Sequence, residues 1–193
     1  MGLSTPLYQD HETLGARIVP FADWDMPLHY GSQLQEHHSV RKDAGMFDVS
    51  HMVVADLEGS DAQAFLRRVL ANDVARLKIP GKALYSCMLN ELGGVLDDLI
   101  VYYLRDDWYR MVVNAATADK DLKWIKALAT ELDIRVQRRD DLAMIAVQGP
   151  NARDKALPLL PDDLSAAAGE LKPFVAAHND DWFVGRTGYT GED

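Results

Sequence analysis

Hydrophobic and polar positions along residues 51–140 follow a pattern typical of a mixed α and β fold. The stretch HMVVADLEG at 51–59 alternates as a half-buried strand does, and Gly59 ends it. Ser60 and Gln63 then stand three residues apart, which predicts a capping box at the start of a helix. The hydrophobic face of that helix is predicted at Phe65, Leu66, Val69 and Leu70.

Three strand-like runs follow this helix, at 83–90, 95–104 and 108–114. They are joined by two connections of hairpin length, Gly93-Gly94 and residues 105–107. A second helix is predicted from about 117 to 132, and a last strand at 134–139. The order β-α-β-β-β-α-β predicts an antiparallel sheet with its helices on one face, which is an α+β module.

A second α+β unit is predicted to begin at Leu142. It has a strand, a helix opening at Pro150-Asn151 that Pro158 ends early, and a polar connection at 161–173. A hairpin turning at 179–181 follows. The first fifty residues are expected to form an ordered arm with one helix at 33–42. The predicted domains are therefore residues 1–50 with 141–193, and residues 51–140.

Composition and charge narrow the function classes. The net charge of −10 and the pI near 5.0 argue against a nucleic-acid partner, since no basic face offsets phosphate repulsion. The single cysteine, Cys87, excludes an internal disulfide and fits a reducing compartment. No apolar run approaches the roughly 18–20 residues of a membrane span, and the N-terminus lacks a signal-peptide pattern. A cytoplasmic protein without a membrane partner is expected.

Three short motifs are weak candidates for a functional site. His37-His38 could ligate a metal, but adjacent helical residues point about 100° apart, and a solvated helix surface is the better interpretation. Ser50-His51 resembles a nucleophile beside a base, although neighbours in a strand face opposite ways. TGYTG at 187–191 has neither the spacing nor the lysine of a phosphate-binding loop.

The pair Asp97-Asp98 interrupts an otherwise apolar strand in NELGGVLDDLIVYYL. One interpretation places both carboxylates at a hairpin shoulder, where one caps the turn and the other is solvated. The alternative is a partly buried carboxylate that accepts a proton or a hydrogen bond from a heterocycle. Composition does not decide between them.

Five motifs in fixed order resemble a known family: GMFDVSHM (45–52), KALYSCMLNELGGVLDDLIVYYL (82–104), VVNAATADKDLKWI (112–125), MIAVQGPNA (144–152) and RTGYTGED (186–193). Together with the N-terminal segment, they resemble the aminomethyltransferase of the glycine cleavage system, its T-protein. The resemblance covers nearly the whole chain.

This resemblance implies a fold and a reaction. The fold is the folate-binding T-protein cloverleaf, of which this chain matches two ferredoxin-like units with antiparallel sheets; the C-terminal β-barrel is absent from it. The reaction moves an aminomethyl carbon from the dihydrolipoyl arm of the partner H-protein to tetrahydrofolate, with release of ammonia and without a metal. Because this chain matches only the first half, we expect it to be inactive alone.

The resemblance also assigns residues. Asp98 matches the catalytic carboxylate, and Asp97, on the opposite face of the strand, is left to solvent or structure. The folate-binding positions are matched by Met52, Tyr85, Asn114, Tyr189 and Arg186. For Met52 and Tyr85, plain core packing stays an alternative, and for Arg186 a structural role does.

Two rival functions stay open. One is a non-enzymatic folate-binding relative of the iron–sulfur assembly type, although Cys87 does not match the cysteine motif of that group. The other is an inactive fragment that only folds.

Overall fold

The computed structural model describes residues 2–187, which form two compact units: residues 2–51 with 142–170, and residues 52–141 with 171–187. The helices are α1 (Tyr8–Thr13), α2 (Gln33–Lys42), α3 (Ala62–Val69), α4 (Ala118–Leu128), α5 (Ala152–Ala156) and α6 (Asp162–Gly169). The strands are β1 (Arg17–Phe21), β2 (Trp24–His29), β3 (Gly45–Asp48), β4 (Val53–Glu58), β5 (Ala83–Leu89), β6 (Val95–Arg105), β7 (Trp108–Val113), β8 (Arg135–Arg138), β9 (Ile145–Gln148), β10 (Val175–His178) and β11 (Phe183–Arg186).

A five-stranded sheet in the order β5-β6-β7-β4-β8 is the centre of the second unit, and each strand is antiparallel to its neighbours. This confirms the predicted α+β class and its order of elements. The turn between β5 and β6 depends on Gly93, whose φ of 78° is a left-handed conformation that glycine adopts without strain. Asn90 closes the turn, because its side-chain oxygen accepts hydrogen bonds from the Leu92 and Gly94 amides.

Helices α3 and α4 cover one face of this sheet. Their buried positions recur at helical spacing, and they pack on the apolar residues of β4, β6 and β7. The core of this helix-covered face includes Leu57, Phe65, Leu66, Val101, Met111, Leu122 and Ile125. The helices are therefore held by the hydrophobic effect over one continuous cluster.

The hairpin of β10 and β11 covers one end of the opposite face, which we call the open face because α3 and α4 both pack on the other side of the sheet. Tyr102 packs edge-on against Phe183 with ring centroids 4.9 Å apart, and Lys82 forms a β-bridge with Val175. Residues 171–187 thus lie with the sheet, whereas the sequence grouped all of 141–193 with 1–50. Apolar contacts on the open face explain this difference; the domain boundaries themselves stay a prediction.

A buried ion pair lies on the same face, next to the hairpin. Arg110 of β7 donates two hydrogen bonds to Asp56 of β4, at 2.7 and 2.8 Å, and both side chains are almost fully buried. Arg139 donates a third bond, at 2.7 Å. The guanidinium of Arg110 also stacks on the ring of Phe183, 5.0 Å from its centroid. The pair therefore links the sheet to the hairpin.

The first unit contains two two-stranded sheets, β1–β2 and β3–β9. The sequence had predicted only an arm and the helix at 33–42 for its first fifty residues. Asp48 ties the N-terminal segment to β3, since it accepts hydrogen bonds from Thr5 at 2.5 Å and from His11 at 2.9 Å. The strand at 45–48 was missed because four residues of mixed polarity give no periodic signal.

Two local predictions are wrong. Ser60 does not form a capping box with Gln63: the Ser60 amide and hydroxyl both donate to Asp133, and Gln63 donates to the Tyr109 hydroxyl. Asp61 is the residue at the helix start, without a side-chain cap. The connection at 161–173 contains α6, whose buried Leu164 and Ala168 are four residues apart. Within residues 2–187, no helix is long and apolar enough to cross a membrane.

Candidate functional site

Asp98 lies near the start of β6 on the open face of the sheet. In the register of the strands it pairs with Cys87, while Asp97 pairs with the fully buried Met88. Because successive residues of a strand point to opposite faces, Asp98 points to the open face and Asp97 toward the helices. The β-strand alternation thus separates two adjacent carboxylates.

Tyr85 of β5 stands beside Asp98 on this face. Its hydroxyl donates a hydrogen bond to Oδ2 of Asp98, and the residue is 51% exposed, so the core-packing interpretation is wrong for it. The hydrogen bond to Asp98, with burial and the carboxylate charge, raises the pKa of Tyr85 to about 12. The phenol therefore stays protonated at neutral pH and acts as a donor.

Asn114 follows the end of β7 and completes the cluster. Its Nδ2 lies 3.1 Å from the Asp98 carbonyl oxygen, 3.3 Å from Oδ1 of Asp98 and 3.1 Å from Oδ1 of Asp97. All three partners are acceptors, so the orientation of the amide is fixed. Asn114 is the one side chain of the cluster that contacts both aspartates.

Asp97 is held from the helix-covered side. Thr117, at the N-terminus of α4, donates its hydroxyl proton to Oδ2 of Asp97. Burial acts to raise the pKa of Asp97, but hydrogen bonds from Thr117, Asp121 and Asn114 outweigh it and lower the pKa. Of the two roles that the sequence left open for Asp97, these bonds favour structure.

Thr117 and Asp121 are the residues of this region that the sequence did not single out. Asp121 is fully buried, and burial beside Asp97 raises its pKa to about 6. A signal was available: Asp121 stands among Ala118, Leu122 and Ile125 on the apolar face of α4, where an unpaired carboxylate is costly.

The other predicted folate residues differ in position. Met52 is partly exposed and immediately precedes β4, whose first residue pairs with Val113, so it lies at the Asn114 end of the sheet. Arg186 ends β11, and its Nη1 donates to the carbonyl oxygen of Leu171 at 3.0 Å. That bond supports a structural role for Arg186. Tyr189 lies outside the described residues.

The weak motifs gain no support. Ser50 exchanges hydrogen bonds with the backbone of Met144, while His51 packs edge-on against Phe21 and Trp24. His37 and His38 are exposed on α2. Among the described residues, no three histidine, cysteine or acidic side chains are grouped as metal ligands would be. TGYTG falls almost wholly outside the described range.

The cluster of Asp98, Tyr85 and Asn114 offers a defined chemistry. A carboxylate on a partly exposed sheet surface can stabilise a developing positive charge or accept a proton. Its neighbours are a phenol donor and an amide donor, which fix the direction of its lone pairs. Such a site suits a cationic or imine-like intermediate.

The family model and the most similar relatives that the comparisons found point to the same protein family. The family model described as the GCVT N-terminal domain matches residues 7–193. The chain is 58% identical to the aminomethyltransferase of Xanthomonas oryzae pv. oryzae (strain PXO99A), over 100% of this chain and 54% of that protein. It is 62% identical to the aminomethyltransferase of Bordetella petrii, over 98% of this chain and 52% of that protein.

A solved structure agrees. The crystal structure of glycine cleavage system aminomethyltransferase T from Bartonella henselae is 38% identical and has a TM-score of 0.88. The match covers 100% of this chain and 52% of that one. The chain therefore spans about half the length of the curated relatives it matches.

Proposed function

Since the chain belongs to the family of the GCVT N-terminal domain, we propose that the protein is an aminomethyltransferase of glycine cleavage. It moves the aminomethyl carbon from the dihydrolipoyl arm of H-protein to tetrahydrofolate and releases ammonia. The observation that carries the proposal is the position of Asp98, on the open face of the sheet with Tyr85 and Asn114 as hydrogen-bond donors.

The chemistry needs an anion at this position. The carbon–nitrogen bond of the protonated aminomethyl thioether breaks with loss of ammonia and leaves a cationic carbon that the remaining sulfur stabilises, as in a thionium ion. The N5 amine of folate attacks that carbon, and N10 then closes the ring and expels the lipoyl thiol. Of the two protons that the folate amines lose, one leaves with ammonia as ammonium and one with the thiol. Asp98 stabilises the cation and relays the N5 proton.

Folate binding is assigned to the same face. The half-exposed ring of Tyr85 offers a surface for the pterin, and Asn114 and Met52 lie at the same end of the sheet. Tyr189 and Arg186 are proposed as further folate contacts, and the bond from Arg186 to Leu171 favours an indirect role for Arg186. The partner is lipoylated H-protein, no metal is required, and the proposed compartment is the bacterial cytoplasm.

The test is a transfer assay on the complete gene product. Aminomethylated H-protein and tetrahydrofolate are mixed with the enzyme, and methylenetetrahydrofolate and ammonia are measured in a single turnover. Equal amounts of the two products support the proposal. Folate binding without transfer would instead favour the non-enzymatic folate-binding relative, and neither binding nor transfer would favour an inert protein.

A further inference from the structure

Asp121 is a buried carboxyl group that the proposed chemistry does not use. It is 0% exposed, and no described group donates to either of its oxygens with hydrogen-bond geometry. Lys120 Nζ lies 3.7 Å from Oδ1, but it is half-exposed and donates instead to the Leu96 carbonyl oxygen at 2.8 Å. A buried ionised carboxylate without donors is strongly disfavoured.

The Asp97 carboxylate lies beside Asp121, within reach of a side-chain hydrogen bond, and supplies the missing partner. Two ionised carboxylates have no hydrogen between them and repel each other, whereas one proton converts the contact into an O–H···O bond. Thr117 and Asn114 both donate to Asp97, so Asp97 is the ionised member and Asp121 holds the proton.

We infer that Asp97 and Asp121 share one proton, and that this pair positions Asp98 by holding the Asn114 amide against it. The Asn114 Nδ2 has two hydrogens, and its acceptors are Asp97 on one side and Asp98 on the other. An Asp97 that is fixed by Thr117 and Asp121 therefore fixes the amide. Asp121 acts through these neighbours as a positioning residue and touches no substrate itself.

The charged surroundings of Asp121 are limited. Asp97 of β6 and Lys120 of α4 are the charged groups that face it within the described part of the chain. Arg138 of β8, at the edge of the sheet, pairs with Asp119 and Asp140 instead. Asp98 lies on the other face of the sheet. The protonation of Asp121 is therefore determined mainly by its burial and by the charge of Asp97.

The sign of the pH effect follows from this arrangement. The pKa of Asp121 is raised from 3.8 to about 6 by burial and by Asp97. The folded state therefore binds more protons than the unfolded state between these values, and stability falls as pH rises through this window. Above it, two neighbouring carboxylates are both ionised and the pair loosens.

The first test is thermodynamic and needs no activity. Urea unfolding of the chain is followed from pH 4 to 8 for the wild type, Asp121→Asn and Asp119→Asn. Asp121→Asn keeps a donor toward Asp97 but does not titrate, so its unfolding midpoint should match the wild type near pH 4 and exceed it at pH 7.5. Asp119, a 94% exposed carboxylate on the same helix, is the matched control. The unfolding midpoint of Asp119→Asn should differ from that of the wild type by the same amount at every pH. A difference that is flat with pH would overturn the shared proton.

The second test is kinetic and rests on the proposed function. In the complete gene product, Asp121→Ala should lower kcat on the order of tenfold with a smaller change in the KM for folate, because the amide is no longer fixed. Asp121→Asn should restore most of kcat, and its kcat relative to the wild type should rise between pH 5.5 and 8. Wild-type kcat in a folded Asp121→Ala variant would overturn the positioning role. A wild type without transfer activity would instead overturn the proposed function, while the unfolding data still decide the shared proton.

Discussion

The carboxylates of Asp97 and Asp98 are adjacent in sequence but lie on opposite faces of one sheet. Asp98 accepts a hydrogen bond from Tyr85 on the open face, and Asp97 accepts one from Thr117 on the helix-covered face. Asn114 contacts both. A strand that places one acid at a partly exposed surface and the other beneath it gives the two residues separate roles.

Replacing Asp98 by asparagine should abolish most of the proposed activity. The change keeps the shape but removes the negative charge, so we expect kcat to fall on the order of 10²–10³-fold. Folate affinity should change much less, because binding also draws on the Tyr85 ring and other contacts. Single-turnover transfer and calorimetry with the complete gene product measure the two effects. A loss of affinity as large as the loss of kcat would show that Asp98 binds folate rather than promoting transfer.

Asp97→Asn should act mainly on stability, with a fall in kcat no larger than the roughly tenfold loss expected for Asp121→Ala, because both changes act through the Asn114 amide. A solvated Asp97, one of the two roles that the sequence left open, would make the change almost silent, but the new amide places its NH₂ group against Thr117 or Asn114, which are donors. One mismatched hydrogen bond in this partly buried cluster should lower the free energy of unfolding by about 1–3 kcal/mol. Urea unfolding measures it. If Asp97→Asn lowers kcat more than Asp98→Asn does, the assignment of the two faces is wrong.

Tyr85→Phe removes the hydroxyl that donates to Asp98 and keeps the ring. If Asp98 acts in the transition state, loss of this hydrogen bond to its charge should lower kcat roughly 10- to 100-fold. Tyr103 is a matched control, because its hydroxyl donates to Asp106 at 2.7 Å and its pKa is likewise raised to about 12. Tyr103→Phe should leave kcat unchanged, and an equal effect of both variants would contradict a role specific to the site.

Asp56→Asn should show how much the buried ion pair contributes to stability. Burial acts to raise the pKa of Asp56, but Arg110 and Arg139 outweigh it and hold the pKa below 3.8. The contribution of Asp56 is therefore present above that value and is lost as pH falls through the lower, folded pKa. Removing one partner of a buried pair should lower the free energy of unfolding by about 3–5 kcal/mol at pH 7. The difference between the variant and the wild type should shrink at acid pH.

The control for this variant is Asp141→Asn. Asp141 pairs with Arg139 at 2.7 Å, but its side chain is mostly exposed. Solvent screens such pairs, so this variant should lower the free energy of unfolding far less than Asp56→Asn does. Urea unfolding at pH 7 and pH 3.5 checks both variants. Equal losses for Asp56 and Asp141 would show that burial does not strengthen the first pair.

Gly81→Ala should detach the hairpin from the open face. Gly81 has a φ of +82°, and a Cβ there would lie 2.0 Å from the carbonyl oxygen of Ala176 in β10. Gly93 has a nearly equal φ of +78° but open space around it, so Gly93→Ala measures backbone strain alone, about 1–2 kcal/mol. Gly81→Ala should cost at least twice that in urea unfolding. Faster amide exchange at Ala176, whose N–H donates to Gly81, would locate the damage.

Sequence patterns predicted the five-stranded unit well because its strands and helices are long and strongly periodic. The separation of Asp97 from Asp98 also follows from the two-residue period of a strand. Neither the Asp97–Asp121 contact nor the return of residues 171–187 to the sheet could be predicted from the local period of the sequence. Both depend on residues far apart in sequence, whose contacts no local period encodes. The helix at 162–169 was missed for another reason, since Asp, Ser and Gly within it resemble a loop.

The order in which the chain visits its two units has a consequence for dividing the protein. Residues 2–51 and 142–170 belong to one unit, and residues 52–141 and 171–187 to the other. A single cut between Asp141 and Leu142 would leave two fragments, neither of which carries a whole unit. The first piece keeps the five-stranded sheet and its helix-covered core, which lies within residues 53–136, but it loses the hairpin of β10 and β11 and the β9 partner of β3. The chain is thus suited to fragment complementation, in which two separately expressed halves restore both units on mixing.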